Sequence, residues 1–345
     1  MRERPGGRPD GTPAATPGDT AAATAPHTRT GGSHRHRARA WAELLRLPAL
    51  CTVPGDALAG AAATGARPTS RTLLAIASSL CLYEAGMALN DWADRDVDAV
   101  ERPHRPLPSG RIRPTAALTA AGALTGAGLA LAARAGRPAL AVAAPLAATV
   151  WAYDLGLKRT PAGPLAMGAA RGLDLLLGAA ATTGRTREAL PSAALLGTHT
   201  LAVTTVSRQE AQGGSPLPPL AALATTALLT RLVTRRPGTP TDGRRQATPH
   251  IRTGPRAAGW PGPEPQALLT TALGATYAAT TARPYFHATL NPSPPLTQRA
   301  VGAGIRATIP LQATLTARSR GTATALLITA LAPLGARFAK KVSVT

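Results

Sequence analysis

The chain has 345 residues, 44% of them hydrophobic and only 3% aromatic, with two cysteines and a formal charge of +21 at pH 7. So basic a balance raises nucleic acid as a partner. The basic residues sit in tails and in joints between apolar runs, with no basic face and almost no rings to stack on bases, and that placement excludes it. Length alone allows two soluble domains, but the apolar residues are bunched into many segments separated by short polar joints, the pattern of a chain threaded through a membrane.

Residues 1–40 form a tail of Pro, Gly, Thr, Ala and Arg without apolar periodicity, too polar at its start and too long before the first apolar run for a secretory signal peptide. Disorder is expected there. His34, Arg35, His36, Arg37 and Arg39 read as a basic arm flanking the first span in preference to a metal site, and the positive-inside tendency then places the N-terminus in the cytoplasm. Apolar runs follow over 44–65, 72–90, 116–133, 138–153, 163–181, 191–206, 217–233, 266–282, 301–317 and 322–336. A bilayer core takes roughly 20 residues of helix, so the expected fold is an all-α, polytopic membrane helical bundle of eight to ten spans within residues 41–345. The joints after the second, fourth and sixth spans then share the cytoplasmic side.

Residues 235–263, rich in Pro, Gly, Arg and Thr, read as a flexible polar insert, which with the head dilutes mean hydropathy to +0.01. Cys51 and Cys81 lie inside apolar runs, as small buried hydrophobes and not as a disulfide or zinc pair. Lysine occurs only at Lys158, Lys340 and Lys341, while Arg, Ala, Gly and Pro abound, which is the coding bias of a G+C-rich bacterial genome.

The informative stretch is "GMALNDWADRDVDAVERPHRPLPSG", residues 86–110. Five of the chain's 17 acidic residues fall between Asp91 and Glu101. If the second span continues as a helix through it, Asn90, Asp91, Asp94 and Asp98 share one face and Asp96 points nearly opposite. Carboxylates at that spacing repel unless a cation neutralises them, and hard oxygen ligands suit Mg²⁺ that also holds substrate phosphates. Glu84, two turns earlier, lies on the same face inside the membrane, where an ionisable residue is a functional candidate. A calcium-binding loop starting at Asp94 is excluded, because it needs Gly where Ala99 stands and Glu where Arg105 stands. A solvated joint paired with Arg95, Arg102 and Arg105 competes with the metal reading. Arg102, Arg105, Arg111 and Arg113 bring cations beside the acids, however, and Pro103, Pro106 and Pro108 stiffen the turn between them, as a diphosphate site requires.

"NDWADRDVD", through Asn90, Asp91, Asp94 and Asp98, resembles the N-D-x-x-D-x-x-x-D signature of the UbiA superfamily of intramembrane prenyltransferases, and "RPHRPLPSGRI" resembles the segment that follows it. "YDLGLKRTPAGPLAMGAARGLDLLLGA" is similar to the stretch joining that family's fourth and fifth spans, with Tyr153 and Lys158 at the places flanking the diphosphate. The tail from Ile305 and "CTVPGDALAG" resemble an EboC-like bacterial branch. The resemblance implies about nine helices around a cavity open laterally to membrane lipid. It also implies an isoprenyl diphosphate ionised with Mg²⁺ and passed to a lipophilic, aromatic or other acceptor. On the same ground Asn90, Asp91, Asp94 and Asp98 would hold metal, Arg102, Arg105 and Lys158 phosphate, and Tyr153 would donate a hydrogen bond or shield the allylic cation.

One departure stands out. At the end of the sixth span the family carries D-x-x-x-D, and this chain has "VTTVSRQEAQGG". Either Glu210 ligates a metal there, or Arg208 contacts the diphosphate directly. Arg171 and Asp174, three apart on the fifth span, are either an ion pair neutralised between helices or, with Asp174, a group facing the acceptor. His199 reads as a hydrogen-bonded packing residue, and Asp56 beside Pro54 and Gly55 as a break in the first helix. A non-catalytic relative that binds or moves an isoprenoid-linked lipid is the alternative function. A transporter coupled through Glu84 and Asp174 leaves the acidic motif unexplained.

Overall fold

The computed structural model describes residues 30–46, 52–210, 214–235, 264–319 and 321–343. Among these residues there are twelve α-helices and no strand: α1 (Thr30–Leu44), α2 (Val53–Ala63), α3 (Ser70–Ala93), α4 (Arg95–Glu101), α5 (Pro114–Ala135), α6 (Arg137–Leu155), α7 (Gly163–Thr183), α8 (Leu190–Ser207), α9 (Leu217–Thr234), α10 (Pro265–Leu290), α11 (Pro294–Arg318) and α12 (Thr322–Ser343). Prolines that look like breakers in the sequence are starters here. Eight helices, α2 and α5 to α11, carry Pro in their first two positions, where a missing N–H costs nothing. Gly184 ends α7 in the left-handed region at φ 74°, which glycine adopts without strain. Inside the helices threonine hydroxyls donate to the carbonyl one turn back, as Thr125 does to Ala121 at 2.8 Å and Thr226 to Ala222 at 3.0 Å, so these hydroxyls are satisfied in an apolar medium.

Among the described residues six helices are long and apolar enough to cross a membrane: α3, α5, α6, α7, α8 with the turn before it, and α9. This is a multi-pass membrane protein. Among the described residues these six meet the length and composition of a span; α10 and α11, 26 and 25 residues long, carry more polar residues. Neighbouring helices alternate in direction. The ends of α3, α6, α8 and α10 therefore lie together at one end of the bundle, with the starts of α5, α7, α9 and α11.

Helix α2 is built of small residues and wedges against α7, α3 and α11. A methyl group at Gly178 would collide with the backbone of Ala57, and one at Gly60 with the carbonyl of Leu175, so the two helices touch backbone to backbone. Gly178→Ala is accordingly expected to destabilise the fold by about 1–3 kcal/mol in detergent unfolding, since backbone cannot rotate away. Gly122→Ala on α5, where nothing lies within 4 Å, should be neutral or gain up to about 1 kcal/mol from helix propensity.

Several expectations shift. Of the tail over 1–40, residues 1–29 lie outside the described residues, and from Thr30 the chain is helical. Ala40 and Leu44 of α1 are buried with Ala88 and Leu89 of α3 and with Leu107 and Ile112. Most of the insert over 235–263 also lies outside them. The second span does not run on unbroken: α3 stops at Ala93, Asp94 turns at φ −96°, ψ 4°, and α4 restarts at Arg95. Asp56 marks no break, because Pro54 opens α2 and Asp56 sits in its first turn.

Candidate active site at the common helix ends

A cavity of about 290 Å³ lies between α3, α6 and α7. Arg46, Asn90, Tyr153 and Asp154 stand at its mouth; Leu82, Gly86, Met87, Leu146 and Val150 wall it; Ser79, Arg171 and Asp174 close its far end. From Asn90 to Ser79 is about 16 Å along α3 at 1.5 Å per residue. Gly86 keeps the passage open, since a Cβ there would meet Val150 at 3.0 Å.

The acidic stretch meets this mouth as two pairs, each held by cations. Asp91 and Asp98 share Arg105, whose Nη1 lies 2.7 Å from Asp98 and 3.7 Å from Asp91; Arg46 adds a contact to Asp91 at 3.1 Å and Arg102 one to Asp98 at 3.5 Å. Asp94 and Asp154 share Lys158, at 2.8 and 3.8 Å, and Arg159 approaches Asp94 at 3.4 Å. Asn90 donates to Asp154 at 3.0 Å. Asp96 is left on the solvent side, its side chain 85% exposed. Among the described residues no three carboxylates converge on one point. The single face expected for Asp91, Asp94 and Asp98 is thus divided, because like charges separate and Arg105 and Lys158 enter between them. Each pair still offers two carboxylates around one cation, a donor set of hard oxygens that fits a divalent ion.

Tyr153 lines the cavity beside Asp154. Arg208, at the end of α8, donates to the carbonyl of Thr160 in the α6–α7 joint, so the ends of the second, fourth and sixth spans do meet. Glu210 follows. Burial pushes its carboxyl up from the ordinary glutamate range, and the Arg102 guanidinium beside it pulls it partly back. Glu84 is buried at 7% exposure but does not line the cavity, and neither of its carboxylate oxygens has a hydrogen-bond partner.

At the far end, Arg171 pairs with Asp56 at 3.0 Å, not with Asp174. Asp174 accepts from the Ser79 hydroxyl, and Gln312 donates to Asp56 at 2.6 Å. His199 is a packing residue, as its sequence setting suggests: Nε2 donates to the Gly304 carbonyl at 3.0 Å, which leaves Nδ1 to accept from Tyr277 at 3.1 Å.

Sequence reading missed Arg46, Arg159 and Asp154. Asp154 carried a usable signal, an acid four residues before Lys158 at a helix end. Arg46 carried none, because its partner is 45 positions away.

The fold and the site define a multi-helix membrane protein with an acidic and basic mouth over an apolar cavity, and comparison with known proteins agrees. Residues 49–234, more than half of the chain, match the UbiA prenyltransferase family. The chain belongs to the UbiA prenyltransferase family. It is 38% identical over 145 residues to a digeranylgeranylglyceryl phosphate synthase of Methanothrix thermoacetophila, covering 41% of this chain and 54% of that one. With the same-named enzyme of Methanopyrus kandleri it shares 37% over 128 residues, 36% and 45% of the two chains. The match thus spans about half the length of these curated relatives. A UbiA homologue from Archaeoglobus fulgidus, solved bound to GPP and Mg²⁺, superposes with a TM-score of 0.54 at 17% identity over 81% of this chain and 98% of that one, a likeness of fold. These relatives are archaeal, in place of the EboC-like branch that the tail and first span suggested.

Proposed function

We propose that the chain is an integral-membrane prenyltransferase that moves an isoprenyl group from an isoprenyl diphosphate to a lipophilic acceptor, aromatic or other. The observation that carries this reading is the array of Asp91, Asp98, Asp94 and Asp154 interleaved with Arg105, Lys158 and Arg46 at the mouth of an apolar cavity. Asn90, Asp91, Asp94 and Asp98, with Asp154, would hold Mg²⁺, which when bound offsets the charge growing on the departing diphosphate. Arg102, Arg105, Lys158 and Arg208 bind the phosphate oxygens. In the step itself the allylic C–O bond breaks and its electron pair leaves with the diphosphate. The allylic cation is shielded from water by the cavity walls and by Tyr153 at their rim. A nucleophilic atom of the acceptor then forms the new bond and gives up its proton. Asp174, bonded to Ser79 at the far end, is the polar group available to orient an acceptor there.

The basic arm over His34 to Arg39 supports a cytoplasmic N-terminus and a mouth facing the cytoplasm, in the cell membrane of a bacterium with a G+C-rich genome. Residues 41–345 form the catalytic domain, with 1–40 as a tail and 235–263 as an insert. A second reading, a non-catalytic binder or carrier of isoprenoid lipid, draws on one observation: the altered second motif "VTTVSRQEAQGG" keeps a single carboxylate, Glu210.

Purified full-length protein, given isoprenyl diphosphates of increasing chain length with mixed aromatic and lipid acceptors, should release diphosphate only when Mg²⁺ is present. Glu210→Ala should lower that rate while donor binding is largely kept. Donor binding that needs Mg²⁺, with no release from any acceptor mixture, would instead favour the carrier.

A further inference from the structure

A second cavity, of about 270 Å³, opens between α10 and α11 and is lined by Arg283, Pro284, His287, Leu296 and Arg299. Arg283 and His287 stand one turn apart on α10, and Arg299 faces them from α11. All three are exposed. The helices around them carry no acid. No Asp or Glu occurs anywhere after Glu264, and α8 and α9, which pack beside α10 and α11, contain none either. Among the described residues none of the three forms an ion pair.

The surroundings are those of a lipid-facing groove. Phe286 and Leu290 on the same stretch of α10 are 50% and 68% exposed, and Ile305 on α11 is 52% exposed. The groove lies at the site end of the bundle, for the Gly214 N–H donates to the Pro292 carbonyl at 3.0 Å and ties the α10–α11 joint to the α8–α9 joint. Arg283 is about 10 Å inward from the end of α10 at 1.5 Å per residue. Two guanidiniums at that depth, on an outward face, are stabilised by an anion that arrives with the membrane itself.

We infer that the α10–α11 groove binds the phosphodiester headgroup of an anionic phospholipid from the leaflet into which the site mouth opens. The guanidiniums of Arg283 and Arg299 fork onto the phosphate oxygens and His287 donates a further hydrogen bond. The acyl chains run inward from the headgroup toward the bilayer centre, past Ile305 on α11. A bound lipid would seal the α10–α11 seam. The inference is independent of the proposed reaction.

The test uses the delipidated full chain and dioleoyl phosphatidylglycerol, dioleoyl phosphatidylcholine or inorganic phosphate as probes, with lipid retention read by native mass spectrometry and unfolding midpoints read in detergent. Phosphatidylglycerol should be retained and should raise the midpoint, with phosphatidylcholine and phosphate inert. Arg283→Gln/Arg299→Gln should weaken retention about thirtyfold, as expected for two cations near an anionic surface. Arg185→Gln/Arg187→Gln, which removes equal charge from the opposite end, should retain lipid as before. Equal retention of the two lipids by the unmodified chain overturns the inference without any variant. So does an equal loss in both double variants, or binding of inorganic phosphate that competes with the lipid.

Discussion

Asp91→Asn is expected to lower the rate of diphosphate release by about 10²–10³-fold, the usual cost of removing one preorganised charge partner from a site where negative charge develops. Asp91 is only 5% exposed and faces both Arg46 and Arg105. The neutral side chain keeps the volume and removes the charge that pairs with them, and it removes a hard oxygen that would hold Mg²⁺. Asp96→Asn, five residues on, changes a side chain whose ion pair is with its neighbour Arg95 at the surface, and should leave both rate and stability within about 0.5 kcal/mol. The comparison separates position from charge: both variants remove one acid from the same motif. A rate for Asp91→Asn within a few-fold of the unmodified chain would end the assignment of the mouth as the reacting centre. Equal losses in both would mean that overall charge, and not the paired geometry, sets the rate.

The largest stability effect should come from the other end of the cavity. Arg171→Met leaves Asp56, fully buried, without the guanidinium 3.0 Å away, beside the nearly buried Asp174. Breaking a buried pair by removing one partner costs about 3–5 kcal/mol, because the remaining charge stays out of water uncompensated. Asp56→Asn/Arg171→Met should recover part of that loss, since the stranded charge goes with its partner, and the non-additivity should fall in the range of about 0.5–3 kcal/mol for residues in contact. Unfolding in detergent, followed by circular dichroism, measures all three. A loss below about 1 kcal/mol for Arg171→Met would mean that water reaches the pair and that the cavity floor is wet.

The family membership gives these two ends different standing. The mouth is where the acidic signature and the Tyr153 and Lys158 stretch converge, so most of its residues are legible in the sequence, Arg46, Asp154 and Arg159 being the exceptions. The floor was half legible. Arg171 and Asp174 were singled out by their spacing, but their pairing was not, because Arg171 turns to a residue on another helix. Gln312, which completes the contact to Asp56, lies 256 positions away in the chain.

Hydropathy by itself determined the ten apolar runs, and the helices α2, α3 and α5 to α12 occupy them in order. It also set the alternation that brings the joints after the second, fourth and sixth spans to one end. These features depend on residues within one or two turns of each other, and a continuous apolar run near 20 residues satisfies its backbone in a bilayer as a helix. Only the tertiary structure decided that Asp94 interrupts the helix, that the acids separate into two pairs around Arg105 and Lys158, and that Arg46 and Asp154 join them. It likewise turned the expected break at Asp56 into a buried ion pair. Which charge meets which depends on how far apart helix faces stand. Here that distance is fixed by glycines such as Gly60 and Gly178, whose missing side chains let α2 and α7 touch. Such an absence sets the packing between helices, and no local pattern in the sequence registers it.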